Sequence, residues 1–86
     1  MNWSPIKDAC IKGNNYKYFT GVVTIDICKE NCILELGSKC NSIEYRPGDE
    51  YCFISEARST SDDYTEPCYS GIGRINYTEI LINTGE

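Results

Sequence analysis

The sequence predicts a small disulfide-rich α+β domain, with one helix and an antiparallel strand pair. The chain has 86 residues, which suffices for one domain and leaves too little chain for two hydrophobic cores. Six residues are cysteines, and an even number in so short a chain is typical of a disulfide framework. A helical apolar pattern is followed by two β-prone segments around a turn signal.

A helix is predicted over residues 25–36, because apolar residues recur at helical spacing and share one face, namely Ile25, Cys28, Cys32 and Leu36. Thr24 is placed to cap the N-terminus, and Asp26 lies where the helix dipole favours an acid. Gly37 is placed to end the helix in the left-handed conformation. The two cysteines lie one turn apart and point the same way, so each can bond a different partner.

Two strands are predicted next, over residues 41–46 and 51–55. The turn between them is expected from Pro47-Gly48-Asp49, in which proline sets one φ angle and glycine accepts a positive φ. If the second strand points Cys52 and Ile54 inward, then its other residues, Tyr51, Phe53 and Ser55, face the opposite side of the sheet. The two aromatic rings there need a cover or a ligand.

The remaining segments are less regular. Residues 16–23 predict a strand that Gly21 punctuates, and residues 72–77 predict a further strand. Residues 56–67 are polar and without periodicity, so they predict a long loop of the kind that is often functional or mobile. Residues 80–86 are expected to add a short strand or to fray. Three aromatic residues are expected in the core or in cross-strand packing: Tyr18, Phe19 and Tyr45.

The cysteines also predict an oxidising compartment, so we expect the chain to be secreted or part of a surface protein. A zinc site is disfavoured because the sequence has no histidine and only one short cysteine pair. Asn2-Trp3-Ser4 and Asn76-Tyr77-Thr78 match the N-glycosylation pattern. The apolar runs are too short and too interrupted for a membrane span, so no membrane insertion is expected.

The formal net charge is −5, and the eight basic residues are scattered among acids. Nucleic acids and sulfated polysaccharides are bound by clustered Lys and Arg side chains. The sequence therefore argues against nucleic acid and sulfated polyanions as partners.

Three segments carry a family resemblance: Cys28-Lys29-Glu30-Asn31-Cys32, then Cys40-Asn41-Ser42-Ile43-Glu44-Tyr45, then Tyr51-Cys52-Phe53-Ile54-Ser55. Together they resemble the PAN/apple family, over a region that runs from Cys10 to Cys68. The resemblance implies one helix packed on an antiparallel sheet, in a single domain with its core over residues 10–77.

The resemblance also implies a disulfide pairing of Cys10 with Cys68, Cys28 with Cys52, and Cys32 with Cys40. Sequence alone leaves fifteen pairings open. A bridge from Cys32 to Cys40 would close a short loop at the helix exit, and one from Cys28 to Cys52 would pin the helix across the sheet. Loss of that central bridge is expected to destabilise the domain most. The family is one of binding modules for proteins or carbohydrates, and no binding residue is common to all of it.

Enzymatic activity is not expected, because the common general base, histidine, is absent. Asp62, Asp63 and Glu66 match no calcium-loop spacing, and a solvated acidic loop explains them. The lone G-x-G at residues 71–73 is too short a phosphate cradle, so no metal or cofactor is predicted.

The tyrosines give the better candidate site, since seven are present and tyrosine combines an apolar face with a polar tip. The predicted ligand-binding residues are those in or beside the polar loops: Tyr51, Arg58, Asp62, Asp63 and Tyr64.

We therefore predict an extracellular non-catalytic binding module for protein–protein adhesion or assembly. A carbohydrate-binding apple domain is one alternative, and a freestanding secreted inhibitor or effector is another. A small concave pocket of tyrosines and acids would suit a sugar, whereas a flat patch would suit a protein.

Overall fold

The structure is a computed structural model that describes residues 2–12, 15–71 and 73–81. Within these ranges the helix and strands follow one another in the order β1 (Lys7–Asp8), β2 (Cys10–Ile11), β3 (Asn15–Phe19), α1 (Ile25–Leu36), β4 (Ser42–Arg46), β5 (Tyr51–Ser55), β6 (Tyr64–Thr65), β7 (Tyr69–Ser70), β8 (Gly73–Arg74) and β9 (Asn76–Glu79). A 3-10 turn, Gly37–Lys39, follows the helix.

The main sheet has five antiparallel strands in the order β1-β9-β4-β5-β3. Helix α1 packs on one face of this sheet, which confirms the α+β class and the helix-on-sheet arrangement. Two small ribbons, β2 with β6 and β7 with β8, complete the described strands. No helix among the described residues is long and apolar enough to span a membrane.

The helix has the predicted bounds and the predicted caps. The Thr24 side chain accepts a hydrogen bond from the Ile27 backbone N–H at 3.2 Å. Gly37 has a φ of 59° and donates its backbone N–H to the carbonyl of Ile33. A side chain at this φ would be strained, so glycine ends the helix here.

The hairpin of β4 and β5 is also confirmed, with Arg46 directly opposite Tyr51 at the turn. The expected positive φ at Gly48 is wrong. Glu50, the last turn residue, has the positive φ of 60° instead, and its carbonyl accepts a hydrogen bond from Val22 N–H at 3.0 Å. The turn type depends on the backbone angles that lead into the following strand, and residue composition alone does not fix those angles.

Three predicted segments differ from the structure. Strand β3 covers residues 15–19 and ends before Gly21, which has a φ of 70°. The predicted strand over residues 72–77 is divided between β8 and β9, with Ile75 buried between them; Ile72 lies outside the described residues. The predicted loop over residues 56–67 contains β6, which pairs with β2. In the tail, Ile80 bridges Trp3, and residues 82–86 lie outside the described range.

The main core lies between α1 and the sheet. Its buried residues come from the helix, from the helix-facing side of β4 and β5, and from the segments on either side of the helix: Val22, Cys28, Cys32, Cys40, Ile43, Tyr45, Cys52 and Ile54. Tyr45 is therefore a core residue as predicted, and its hydroxyl donates to the Val22 carbonyl at 2.6 Å.

The disulfides join the pairs that the resemblance implies. Cys28 bonds Cys52, which fastens the helix to the sheet, and Cys32 bonds Cys40 at the helix exit. Cys10 bonds Cys68, which joins the N-terminal ribbon to the segment after β6. No cysteine is free.

Candidate interaction surface

The sheet face opposite the helix carries a row of four side chains. They come from neighbouring strands at directly opposed positions: Tyr77 on β9, Glu44 on β4, Phe53 on β5 and Tyr18 on β3. The tyrosine at one end of the row, Tyr77, is 1% exposed, and the one at the other end, Tyr18, is 58% exposed. The face is thus divided into a covered half around Tyr77 and an open half around Tyr18.

The covered half is closed by residues 56–67. Tyr64 places its ring 5.3 Å from that of Tyr77 in an edge-on contact. The Ser42 hydroxyl donates to the Ala57 carbonyl at 2.7 Å, which fastens the start of the segment to the sheet. A second small core results, built on Ala9, Ile11 and Tyr77, with Ala57 and Tyr64 packed against it.

A polar network lies at the edge of the covered half and centres on Glu79. The Tyr77 hydroxyl donates to Glu79 Oε1 at 2.6 Å, and the Ser59 backbone N–H donates to the same oxygen at 2.8 Å. Arg58 lies 3.8 Å from Glu79 Oε2 and donates to the Ile80 carbonyl at 2.6 Å. These contacts make Glu79 the acceptor that ties residues 58–59 to β9.

The pKa values of this network reflect its burial. Desolvation opposes ionisation of Glu79, but the hydrogen bonds from Tyr77 and Ser59, with the Arg58 charge, hold the pKa of the carboxyl below its usual value. Burial and the Glu79 carboxylate raise the pKa of Tyr77. Burial and a hydrogen bond to Glu66 raise the pKa of Tyr64 to about 12.

The open half carries three aromatic rings, which we call the aromatic platform: Tyr18, Tyr51 and Phe53. The Tyr18 and Tyr51 rings are nearly parallel, with centroids 5.7 Å apart and planes at 8°. Phe53 lies 6.0 Å from Tyr18 and 5.9 Å from Tyr51. The alternation of β5 places Tyr51 and Phe53 on this face, because Cys52 and Ile54 point into the core.

Arg46 holds one edge of the platform in place. Its guanidinium carbon lies 4.8 Å from the Tyr51 ring centroid and 5.7 Å from that of Phe53. Its Nε and Nη2 atoms donate to the two carboxylate oxygens of Asp49 at 2.8 and 2.7 Å. The hydrogen bonds raise the pKa of Arg46 and lower that of Asp49. The Arg46 charge beside the platform is therefore compensated by Asp49.

The predicted ligand-binding residues are divided between these regions. Tyr51 belongs to the platform, whereas Tyr64 packs on Tyr77 and donates its hydroxyl to Glu66 at 2.7 Å. Arg58 is engaged in the Glu79 network, and Asp62 and Asp63 are exposed in the segment that covers Tyr77. Tyr51 contacts Tyr18, Phe53 and Arg46, whereas Tyr64 contacts Tyr77 and Glu66, so the two tyrosines have no contact partner in common among these.

Tyr18 and Arg46 complete the platform, and the sequence predicts neither as a binding residue. Tyr18 is expected in the core or in cross-strand packing, and it does pack across strands on Tyr51 and Phe53. The alternation of residues 51–55 already places Tyr51 and Phe53 on the face away from the core. Tyr18 joins them only through the pairing of β3 with β5, which places it opposite Phe53. That pairing is a long-range contact, and no local pattern encodes it.

The two glycosylation candidates differ in accessibility. Asn2 is exposed, whereas Asn76 lies in β9 between β1 and β4 and is followed by two buried residues, Tyr77 and Thr78. Among the described residues, no group of three or more His, Cys, Asp or Glu side chains could hold a metal ion.

No family model matches the sequence, and no curated protein or solved structure is significantly similar to it.

Proposed function

We propose that this chain is an extracellular, non-catalytic binding module of PAN/apple type, and that it binds another protein through the aromatic platform. The observation that carries the proposal is the division of one sheet face: residues 56–67 cover Tyr77, while the platform on the same face has Tyr18 exposed and Tyr51 and Phe53 half-buried.

Aromatic residues are enriched where proteins associate, because each ring buries a large area and loses few rotamers. Tyr18 keeps 58% of its surface exposed, so burying its ring against a partner would remove substantial apolar area from water. The ring is held by its neighbours on β5, which reduces the entropy lost on binding.

A protein partner is favoured over a sugar by the polar groups at the platform. Specific sugar binding needs donors and acceptors that remain available beside the stacking ring. Arg46, the cation next to Tyr51, already gives two donors to Asp49. The rings also spread over two neighbouring strands, which fits a broad protein contact.

The experiment is site-specific photo-crosslinking of the oxidised protein in extracellular fluid from its source. Benzoyl-phenylalanine replaces Tyr18 in one sample and Thr65, which is exposed on β6, in the other. We expect one discrete protein adduct from position 18 and none from position 65. The purified partner should bind the Tyr18→Ala variant at least about tenfold more weakly, and the Thr65→Ala variant with unchanged affinity.

A glycan array probed with the same protein tests the alternative that the domain binds a carbohydrate. Saturable binding to one glycan that Tyr18→Ala abolishes would replace the proposal with a lectin. If the partner binds Tyr18→Ala and the unmodified protein with the same affinity, then the platform is not part of the binding surface.

A further inference from the structure

A second surface has the form of an open groove at the flank of α1, where the helix meets the N-terminal segment. Its volume is about 420 Å³, and it is lined by Trp3 and by four helix residues, Lys29, Glu30, Ile33 and Leu34. Grooves of this size, within the range of about 300–1,000 Å³, take small ligands or a few large side chains. Leu34 is 82% exposed, whereas Leu36 on the same helix is partly buried against the core.

Trp3 is held at the groove by backbone and side-chain contacts. Its backbone forms an isolated β-bridge with Ile80, which fixes the N-terminal segment beside the chain that follows β9. The Lys29 ammonium lies 5.5 Å from its ring centroid. One wall of the groove is therefore an anchored indole, and the other is the helix surface at Ile33 and Leu34.

The groove lining contains one lysine and one glutamate, and Asp26, the ion-pair partner of that lysine, brings the local charge to −1. Lys29 is compensated by Asp26, whose carboxylate lies 3.8 Å from the ammonium. Glu35 on the same helix pairs with Lys17 at 3.4 Å. Glu30 lies at the groove itself, is exposed, and forms no ion pair with any described residue. The chain as a whole carries −5, so the field around this rim favours a cation.

We propose that this groove binds a cationic amphipathic segment of a partner protein. An apolar side chain of that segment would lie between Trp3 and Leu34, and a lysine or arginine beside it would pair with Glu30. A second copy of this chain is a poorer occupant, because it would bring another −5 to the same rim. This surface is separate from the aromatic platform, and the proposal does not depend on the platform's function.

The single tryptophan makes the test direct, because Trp3 emission reports on the groove alone. The oxidised protein is titrated with a short synthetic helical peptide that has leucine and phenylalanine on one face and lysine on the other. We expect a saturable change in Trp3 emission with a dissociation constant on the order of 10–100 μM. The same peptide with glutamate in place of lysine should bind at least about tenfold more weakly.

Matched variants locate the binding. Glu30→Lys and Asp62→Lys change the net charge equally, and Asp62 is exposed on the segment that covers Tyr77. Glu30→Lys and Leu34→Ser should each weaken the lysine peptide at least about fivefold, and Asp62→Lys should leave its affinity nearly unchanged.

Four outcomes would overturn the proposal. No saturable emission change would show that the groove does not bind such a segment. If Glu30→Lys and Asp62→Lys weaken peptide binding equally, then the effect comes from the overall charge of the protein. If the glutamate peptide binds as tightly as the lysine peptide, then the groove does not select a cationic segment. Trp3 emission that depends on protein concentration alone would show that a second copy covers the groove.

Discussion

The two halves of the sheet face opposite the helix contain similar side chains, but they differ in how far the rest of the chain covers them. Tyr77 and Tyr18 stand at the ends of one cross-strand row, yet one is 1% exposed and the other 58%. The difference comes from residues 56–67 and the ribbon of β2 and β6, which pass over the first half only. Residue type alone therefore does not decide which tyrosine is structural; the path of a distant segment does.

The largest effect that tests this comparison is expected from Tyr77→Ala. The substitution empties the centre of the second core and removes the Tyr77 hydroxyl that donates to Glu79 Oε1. We expect it to lower the free energy of unfolding by about 3–5 kcal/mol, whereas Tyr18→Ala lowers it by less than about 1 kcal/mol. Chemical denaturation of both variants, with disulfides intact, measures the difference.

Similar losses for the two substitutions would break the comparison. A small loss at Tyr77 would mean that the cover over it contributes little, and a large loss at Tyr18 would make the platform part of the core.

Removal of the Cys10–Cys68 bridge should have the next largest effect, because this bond closes the covered half. The double variant Cys10→Ser with Cys68→Ser is expected to lose about 2–4 kcal/mol by the loop-entropy argument. Hydrogen exchange should accelerate in β2 and β6, while α1 and β5 stay protected because Cys28–Cys52 still joins them. Uniform acceleration through α1 and β5 would show that the two cores unfold as one unit.

The acid dependence of stability is expected to follow Glu79. Its pKa in the folded protein is lower than the ordinary value of 4.5, so the folded state favours the ionised form. The resulting stabilisation is present above that ordinary value and is lost as the pH falls through the lower, folded-state pKa. Denaturation across the acid range should show this loss, and Glu79→Gln should be less stable at neutral pH with a shallower dependence.

Asp62→Asn is the control for that titration, because Asp62 is exposed and forms no part of the network. Parallel curves for Glu79→Gln and the unmodified protein would assign the acid transition to other carboxylates.

Local features of the fold could be predicted from the sequence, and long-range ones could not. The helix bounds follow from apolar spacing and from Thr24 and Gly37, which act within one turn of the chain. The β4–β5 hairpin follows from alternation around a short turn. Strands β1 and β2 carry little signal, since each has two residues and is defined by its partner, β9 or β6.

The same distinction explains the candidate site. Tyr51 and Phe53 could be placed on the exposed face because Cys52 and Ile54 alternate with them. The sequence groups Tyr51 with Tyr64 because both lie near polar loops, but that nearness says nothing about which half of the sheet each contacts. Tyr51 packs with Tyr18 and Phe53, and Tyr64 packs on Tyr77. The pairing of β6 with β2 places Tyr64 against Tyr77, and no residue spacing in the sequence predicts that pairing.

The smallest effect is expected at the edge of the open half, from Arg46→Gln. The substitution removes the cation over Tyr51 and the paired hydrogen bonds to Asp49, contacts that are partly exposed to solvent. We expect a loss of about 0.5–1 kcal/mol in unfolding free energy, because ion pairs and cation–π contacts close to the protein surface contribute little each. Arg46→Lys should not restore the loss fully, since an ammonium cannot give the planar pair of donors.

The informative readout for Arg46→Gln is the Tyr51 ring, followed by aromatic NMR. If the ring gains mobility while the fold stays intact, then Arg46 acts to hold the platform rigid, a role that stability alone does not require. A loss of stability as large as that of Tyr77→Ala would instead show that the platform is needed for folding, although part of it is exposed to solvent. The contrast between the halves would then lie in exposure and not in function.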